Sequence, residues 1–474
     1  MAINTNRYLL AACVTALSLQ ACQRDMSDVL ISTRTKIPPQ DNSNIYNGVD
    51  YTIWDFVKYA TEDYYLWSPG SYDVDVHDYD SPQDLFEDFR HPDDRFSFVT
   101  SEYSKVESEM SNEYVTDGIN YRLYTDGEDY VIAMVQYVYD NTPAAEAGVR
   151  RGFVIKEVNG TRLTKGNYQK LLNESSCVYG YTEARVNDQN VIDYSGTIKN
   201  TPTIVKRQCS INPVLKSFAL QQDGLRVGYM LYDSFTKSAD EIIEAVEKLK
   251  NQGVTELVLD LRLNGGGYIT SLNALASMIV PSGNGGKLFF QSTYNDLLTK
   301  YYSQRDGADF DKEFFASNLP NLELKRLFVL TSKSTASASE ELISGLKPYM
   351  PVTLIGKNTY GKFTSNILLN DQDDEGADSD GIPYSEWAVY LCVGSCKNSI
   401  GEMNFKDGFQ VDYDVRDTYM KELGDPDEPL LQKALQLIEG GIAKNAVSQP
   451  EGLDGFVSDF GKPLIQYGAM IINK

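Results

Sequence analysis

Residues 327–362 read LFVLTSKSTASASEELISGLKPYMPVTLIGKNTYGK. Leu327 to Leu330 is an apolar run of the length and composition of a buried strand. A turn of small residues follows, Thr335-Ala336-Ser337-Ala338-Ser339, then a helical pattern, a second strand over Val352 to Ile355, and a lysine, Lys362, preceded by glycine. A strand that hands over to a helix through small residues presents a hydroxyl beside unpaired helix N–H groups, where a nucleophile and an oxyanion site can coincide. Ser337 is therefore the candidate nucleophile. The chain has only two histidines, His77 and His91, both far upstream, so a Ser-His-Asp arrangement would have to borrow one from another region. Lysine can take the proton instead when burial among apolar groups disfavours its charged form. Lys362 lies 25 residues after Ser337, beyond one helix and one strand. Adjacent parallel strands would set the two loops side by side, which makes Lys362 the candidate general base. Ser339 is the rival nucleophile, and its place within the helix predicts a packing or capping role.

Outward from this stretch the chain reads βαβ over 206–440. Arg226 to Tyr232 and Leu257 to Leu261 are strands, Ser238 to Asn251 is a helix with acids early and lysines late, and Pro426 to Ile438 is an amphipathic helix. Strands alternating with helices predict a mainly parallel sheet whose site lies beyond the strands' C-terminal ends. There the sequence carries Asp260-Leu-Arg-Leu-Asn-Gly-Gly-Gly267. Such glycines let backbone N–H groups approach a substrate. The N–H groups of Gly266, Gly267 and Ala338 are the candidate oxyanion donors. Phosphate binding is the competing reading of the glycines, but neither a P-loop Lys-Ser pair nor the spacing of a dinucleotide fingerprint is present.

Residues 46–106 carry a helical pattern with an aromatic stripe suited to a core, closed by Asp93-Asp94-Arg95-Phe96-Ser97-Phe98. From 107 to 205 the pattern changes to short strands: Tyr130 to Val138, then a proline-initiated helix in Asn141 to Val149, then a strand ending at the Asn159-Gly160 turn. This order resembles a PDZ domain, with Phe153 where an aspartate is usual. The resemblance implies strand addition by peptides, with the N–H groups of Gly118 and Ile119 as candidate carboxylate holders. The alternative is that this loop merely turns. The tail, 441–474, shows no pattern.

At the start of the chain, Arg7 precedes an apolar run from Tyr8 to Leu19, and Leu19-Gln-Ala-Cys22 follows. The run is too short to span a bilayer as a mature helix and reads as a secretory signal over 1–22. It resembles a bacterial lipoprotein signal, which implies lipidation of Cys22 and a membrane anchor. An ordinary signal peptide with a chance cysteine is the alternative. Polar residues over 23–45 form a tether. The formal charge of -24, from 43 basic and 67 acidic residues, disfavours nucleic acid as a partner. Of six cysteines, four remain after Cys13 and Cys22. Export permits disulfides, Cys392 with Cys396 and Cys177 with Cys209 being conceivable pairs, and the spacing suits no metal site, so neither metal nor cofactor is expected.

Together, DLRLNGGG, TASASE and TYGK resemble the C-terminal processing (tail-specific) serine peptidase family over roughly 46–440. The resemblance implies an α+β multidomain protein: a helical N-terminal domain, a PDZ-like β domain and an α/β protease core of ClpP/crotonase-like type. It implies a serine endopeptidase acting on protein or peptide segments through a Ser337-Lys362 dyad. Many members have a glutamine four residues after the lysine to orient it. Asn366 stands there, one methylene shorter, and is the candidate lysine-orienting residue. Glu340 reads as a helix-start charge. A non-catalytic peptide-binding lipoprotein scaffold, and an esterase or amidase using the same machinery, are the alternatives.

Overall fold

The computed structural model describes residues 45–46, 49–50, 52–110, 113–222, 224–370, 386–403, 405–440, 456–460 and 470–471. Cys22 and the predicted signal and tether fall outside these residues, apart from Ile45. Helices α1 (Ile53–Tyr64) and α2 (Pro82–Phe89) come first, then strand β1 (Phe98–Thr100). Strands β2 (Ile119–Asp126), β3 (Tyr130–Val138), β4 (Phe153–Val158) and β5 (Tyr179–Glu183) form a separate antiparallel sheet. Its interior holds Ile119, Leu123, Val131, Val135 and Ile155. The proline-initiated helix is present as Pro143–Glu146, and Asn159 and Gly160 both take positive φ in the turn after β4.

The α/β core begins with β6 (Val214–Gln222) and β7 (Leu225–Tyr232), followed by α3 (Asp240–Asn251), β8 (Glu256–Asp260), β9 (Gly267–Tyr268), α4 (Ile269–Ile279) and β10 (Leu288–Tyr294). It continues with β11 (Leu327–Thr331), α5 (Ala338–Leu346), β12 (Val352–Gly356), β13 (Thr364–Asn370), β14 (Ala388–Asn398), β15 (Tyr413–Asp414) and α6 (Pro429–Ile438). One sheet has the order β6-β7-β8-β11-β12-β15. Its members from β7 onward pair parallel, with β6 antiparallel at the edge. Both faces are covered, which is why these strands read as unbroken apolar runs. Leu257, Leu259, Val329 and Leu354 face Leu249, Leu275, Leu342 and Ile343 of the helices. Val258, Phe328, Leu330 and Ile355 face Leu430, Leu431 and Leu435 of α6. Each such side chain contributes about 1.5–3 kcal/mol on burial.

The core also contains a second sheet that the βαβ pattern did not predict. Its strands β10, β13 and β14 pair antiparallel, and β1 adds to β14. No described helix separates β13 from β14, so no crossover forces them parallel. Helices α1 and α2 pack on this sheet, with Phe56, Val57, Tyr65 and Phe86 against Ile367, Leu391 and Val393. The N-terminal segment thus shares its core with the second sheet. Two short strands near the end of the chain complete the sheets. Strand β16 (Phe456–Phe460) pairs antiparallel with β2, and β17 (Met470–Ile471) lies between β9 and β13.

Cys177, Cys209, Cys392 and Cys396 are all free and buried. Cys392 and Cys396 lie on one strand, β14, four residues apart. At about 3.3 Å per residue that separation exceeds a disulfide's reach of about 7 Å between Cα atoms.

Candidate active site

Ser337 sits at the junction between β11 and α5 as the N-cap of the helix, with φ 58° and ψ -115°. A positive φ at a non-glycine residue costs of order 1–3 kcal/mol and persists only where the surroundings enforce it. They do so here through the loop that leads in. Ser332 Oγ donates to the Arg262 carbonyl (2.6 Å), Thr335 Oγ1 to the Leu261 carbonyl (2.8 Å), and the Ala336 N–H to the Asn264 carbonyl (3.2 Å). The loop is thereby fastened to the one that follows β8. Ser337 is fully buried, and its Oγ has no hydrogen-bond partner among the described residues.

Glu340 ties the two candidate loops together. Its carboxylate accepts from the N–H groups of Ser337 (2.9 Å), Gly361 (2.7 Å) and Lys362 (2.8 Å) and from Thr359 Oγ1 (2.6 Å). The Tyr360 N–H donates to the Thr335 carbonyl (2.9 Å), a second link between the loops. Burial pushes the Glu340 carboxyl up to about 7, while these four donors pull the other way. Sequence reasoning treated this residue as a helix-start charge; the structure makes it the clamp of the site. Its neighbour Glu341 is fully buried with neither carboxylate oxygen partnered among the described residues, and burial, with Glu340 beside it, raises it to about 8.

Lys362 is buried, and desolvation lowers it to about 8. Its Nζ lies 4.9 Å from the centre of the Phe96 ring and 5.3 Å from that of Tyr390. Cys392, Asp94 and Glu340 oppose the shift electrostatically. Much of this pocket comes from the segment that closes the N-terminal region. Asp94 accepts from Tyr65 Oη (2.7 Å) and from the N–H groups of Phe96 (2.9 Å) and Ser97 (3.0 Å), and Arg95 Nη2 donates to the Gly361 carbonyl (2.7 Å). Sequence reasoning missed these residues, and only the unusual density of charge in Asp93-Asp94-Arg95 could have flagged them. Asn366 does not point its amide at the lysine: Nδ2 lies 3.3 Å from Cys392 Sγ, which is also 3.3 Å from Thr364 Oγ1 and 3.4 Å from Asp94 Oδ1. His77 is exposed and paired with Asp75, and His91 stacks on Trp67.

Among the candidate oxyanion donors, the Gly266 N–H is held by Asn264 Oδ1 at 2.8 Å. Gly267 has φ 139°, and a Cβ there would lie 2.0 Å from the Phe235 carbonyl oxygen, so only glycine fits. Ala338 begins α5 directly after Ser337. Ser339 Oγ donates to the Asn264 carbonyl (3.2 Å) within the packed core, away from a nucleophile's role. Behind the glycines, Arg262 is buried and bonded to Asp260 (2.9 Å), to both oxygens of Glu428 (2.7 and 2.9 Å) and to Asp417 (3.2 Å). Asp417 also pairs with Arg151 of the β2–β5 sheet. Sequence reasoning took DLRLNGGG for its glycines alone; the charged pair inside an apolar strand was the available signal for this network.

At the other candidate loop, Gly118 and Ile119 are both buried. The Gly118 N–H donates to Thr116 Oγ1 (2.9 Å) and the Ile119 N–H to Asp117 Oδ1 (3.0 Å), while Asp117 Oδ2 accepts from Tyr179 Oη (2.5 Å). Among the described residues, no group of His, Cys, Asp and Glu could hold a metal ion, and no helix is long and apolar enough to cross a membrane.

Comparison with known proteins agrees with this architecture. Residues 226–413 match the profile of peptidase family S41. The chain is 29 % identical over 273 residues to the chloroplastic C-terminal processing peptidase of Tetradesmus obliquus, covering 55 % of this chain and 54 % of that protein. It is 27 % identical over 244 residues to the carboxyl-terminal-processing protease of a Synechocystis species, covering 51 % and 50 %. The chain thus spans about half the length of these curated relatives. A solved structure of an S41-type protein from Bacteroides fragilis aligns with a TM-score of 0.65 at 24 % identity, over 81 % of this chain and 97 % of that one, and shows a shared fold. The core region is thus similar to peptidase family S41 and to C-terminal processing proteases.

Proposed function

We propose that this chain is an exported serine endopeptidase of the C-terminal processing type, cleaving peptide bonds in unfolded or C-terminal segments with Ser337 as nucleophile and Lys362 as general base. One observation carries the reading. A serine held at positive φ with an unpartnered Oγ, and a buried lysine with lowered proton affinity, stand on two loops clamped by one carboxylate, Glu340. Strain and a depressed lysine in one place are features of reactive sites rather than of packing.

In the proposed reaction Lys362 leaves the Phe96 and Tyr390 rings and turns to Ser337. The neutral amine accepts the Oγ proton as Oγ attacks the peptide carbonyl, with the Ala338 and Gly267 N–H groups receiving the developing oxyanion. The resulting ammonium returns that proton to the departing amine, leaving an ester on Ser337. Water then attacks the ester and gives a proton to Lys362, which passes it to Oγ as the bond between the acyl carbon and Oγ breaks, so that the acid product leaves with Ser337 and neutral Lys362 restored. Asn366 sits against Cys392, so it acts on the lysine only indirectly, through that thiol.

The β2–β5 sheet is proposed as a PDZ-like element that receives peptide by strand addition along Tyr121–Tyr124. The engaged N–H groups of Gly118 and Ile119 favour addition of an extended strand over capture of a terminal carboxylate. Lipidation at Cys22 would hold the enzyme to the cell envelope. The test compares wild type, Ser337→Ala and Lys362→Ala on an unfolded protein substrate, with a loss of at least about 10³-fold expected for each. Undiminished cleavage by either variant would overturn the dyad. Activity retained by a soluble Cys22→Ala form would separate the anchor from the chemistry.

A further inference from the structure

We infer that the chain's own strands Phe456–Phe460 and Met470–Ile471 are tethered competitors for peptide, occupying both backbone edges that an incoming peptide strand would use. The inference rests on the proposed reading for the meaning of those edges, and on pairing alone for their occupancy. Strand β16 runs antiparallel to β2, with Phe456 opposite Tyr124, Ser458 opposite Leu123, Asp459 opposite Arg122 and Phe460 opposite Tyr121. The other side of β2 is taken by β3 along its whole length. A strand has two hydrogen-bonding edges, so with β16 in place β2 offers none to a peptide.

The second edge lies at the candidate oxyanion site. Strand β17 pairs parallel with β9, Gly267 opposite Met470 and Tyr268 opposite Ile471, and Ile471 also stands opposite Asn366 of β13. On the other side of β9, the Phe235 N–H donates to the Gly266 carbonyl (3.0 Å) and the Tyr268 N–H to the Phe235 carbonyl (2.7 Å). Successive backbone groups of a strand point to opposite edges. The N–H and C=O of Gly267 therefore face β17, and the donor proposed for the oxyanion is turned toward the chain's own backbone. One covalent segment meets both edges, so each contact raises the effective concentration of the other to the order of millimolar. A free peptide at micromolar concentration competes at a disadvantage. The arrangement is consistent with a resting site in which Lys362 lies over aromatic rings and Ser337 Oγ is unbonded.

The test uses the full chain with paired prolines, which remove ladder N–H groups whichever alternate residue supplies them. Val457→Pro/Ser458→Pro addresses the β2 edge and Met470→Pro/Ile471→Pro the β9 edge. Each is made in a Ser337→Ala background, so that peptide binding is read without chemistry, by fluorescence anisotropy of a labelled unstructured peptide. Hydrogen exchange is followed at Tyr121–Tyr124 and Gly267–Tyr268, with the amides of β8 and β11 reporting on global folding. The expected result for Val457→Pro/Ser458→Pro is faster exchange confined to Tyr121–Tyr124 and at least about tenfold tighter peptide binding, reversed by adding a synthetic 456–471 peptide. Met470→Pro/Ile471→Pro is expected to free Gly267–Tyr268 and, with Ser337 restored, to raise kcat/KM through a lower KM. Exchange unchanged in both variants, or freed edges with no gain in peptide affinity, would overturn the proposal. If one pair of prolines unfolds the protein, the other pair decides by the same criteria. Because affinity and exchange are read with Ser337 absent, they stand or fall apart from the protease reading.

Discussion

Two loops in this molecule place backbone N–H groups where an anion could sit, and a carboxylate is already present at each. Before β2, Asp117 accepts from the Ile119 N–H and from Tyr179, and Thr116 takes the Gly118 N–H. Before α5, Glu340 accepts from Ser337, Gly361 and Lys362, yet Ser337 Oγ remains unbonded. The first loop spends its donors on its own fold. The second uses its carboxylate to join two segments and leaves the Ser337 hydroxyl without a partner among the described residues. At both loops the N–H donors are taken by a side chain of the protein itself; the difference is that in the second loop a side-chain hydroxyl is left over.

The largest expected effect falls on the second loop. Glu340→Ala leaves three buried N–H groups without their acceptor at about 1–3 kcal/mol each, and is expected to lower kcat at least about 100-fold by letting the Ser337 and Lys362 loops separate. Steady-state kinetics and thermal unfolding check both. A variant with near wild-type kcat would remove the distinction between the loops. Next is the pH profile. In the proposed mechanism the base is neutral Lys362, which burial lowers to about 8, so kcat/KM should rise about tenfold per pH unit below that value and level off above it. A profile centred near pH 6.5 would point to a histidine instead.

Glu341 supplies a third carboxylate, one with no donor among the described residues. Burial, with Glu340 beside it, pushes its carboxyl up from an ordinary 4.5 to about 8, so the folded state holds a proton that the unfolded state releases. Its contribution to stability therefore falls as pH rises from about 5 to about 8. Glu341→Met should stabilise the protein by a few kcal/mol at pH 8 and by little at pH 5. Melting curves at both values measure the gap, and a constant gap would contradict it. The smallest effect is expected at the first loop. Asp117→Ala should cost about 1–3 kcal/mol of stability while leaving kcat on a short peptide within about twofold. A large fall in kcat there would mean that the two loops are coupled.

The parallel strands and the Ser337 and Lys362 loops were legible in sequence because their signals are local: apolar runs of strand length, small residues at a junction, and a lysine one βα unit later. The antiparallel second sheet was not, since its strands β10, β13 and β14 come from separate stretches whose pairing leaves no period behind. The lysine's pocket was hidden for the same reason. Arg95 meets Gly361 across 266 positions and Cys392 meets Asp94 across 298. The tail showed no apolar period because its described strands are defined by backbone pairing. Asn366 was named as the candidate lysine-orienting residue from the family resemblance, which could not show that its amide would lie against Cys392.

Asp417 pairs with Arg151, in the turn that leads into β4, and with Arg262, which precedes the glycines of the loop after β8. Moving the β2–β5 sheet away would part Asp417 from one of these two arginines: either Arg151 loses this acid, or Arg262 loses one of its three carboxylates. Losing a partner from a buried ion pair costs several kcal/mol. The joint therefore behaves as a mechanical detent: small tilts of the sheet are resisted, a large one releases at a threshold, and the load is delivered to the backbone that precedes the glycines rather than dissipated in a linker.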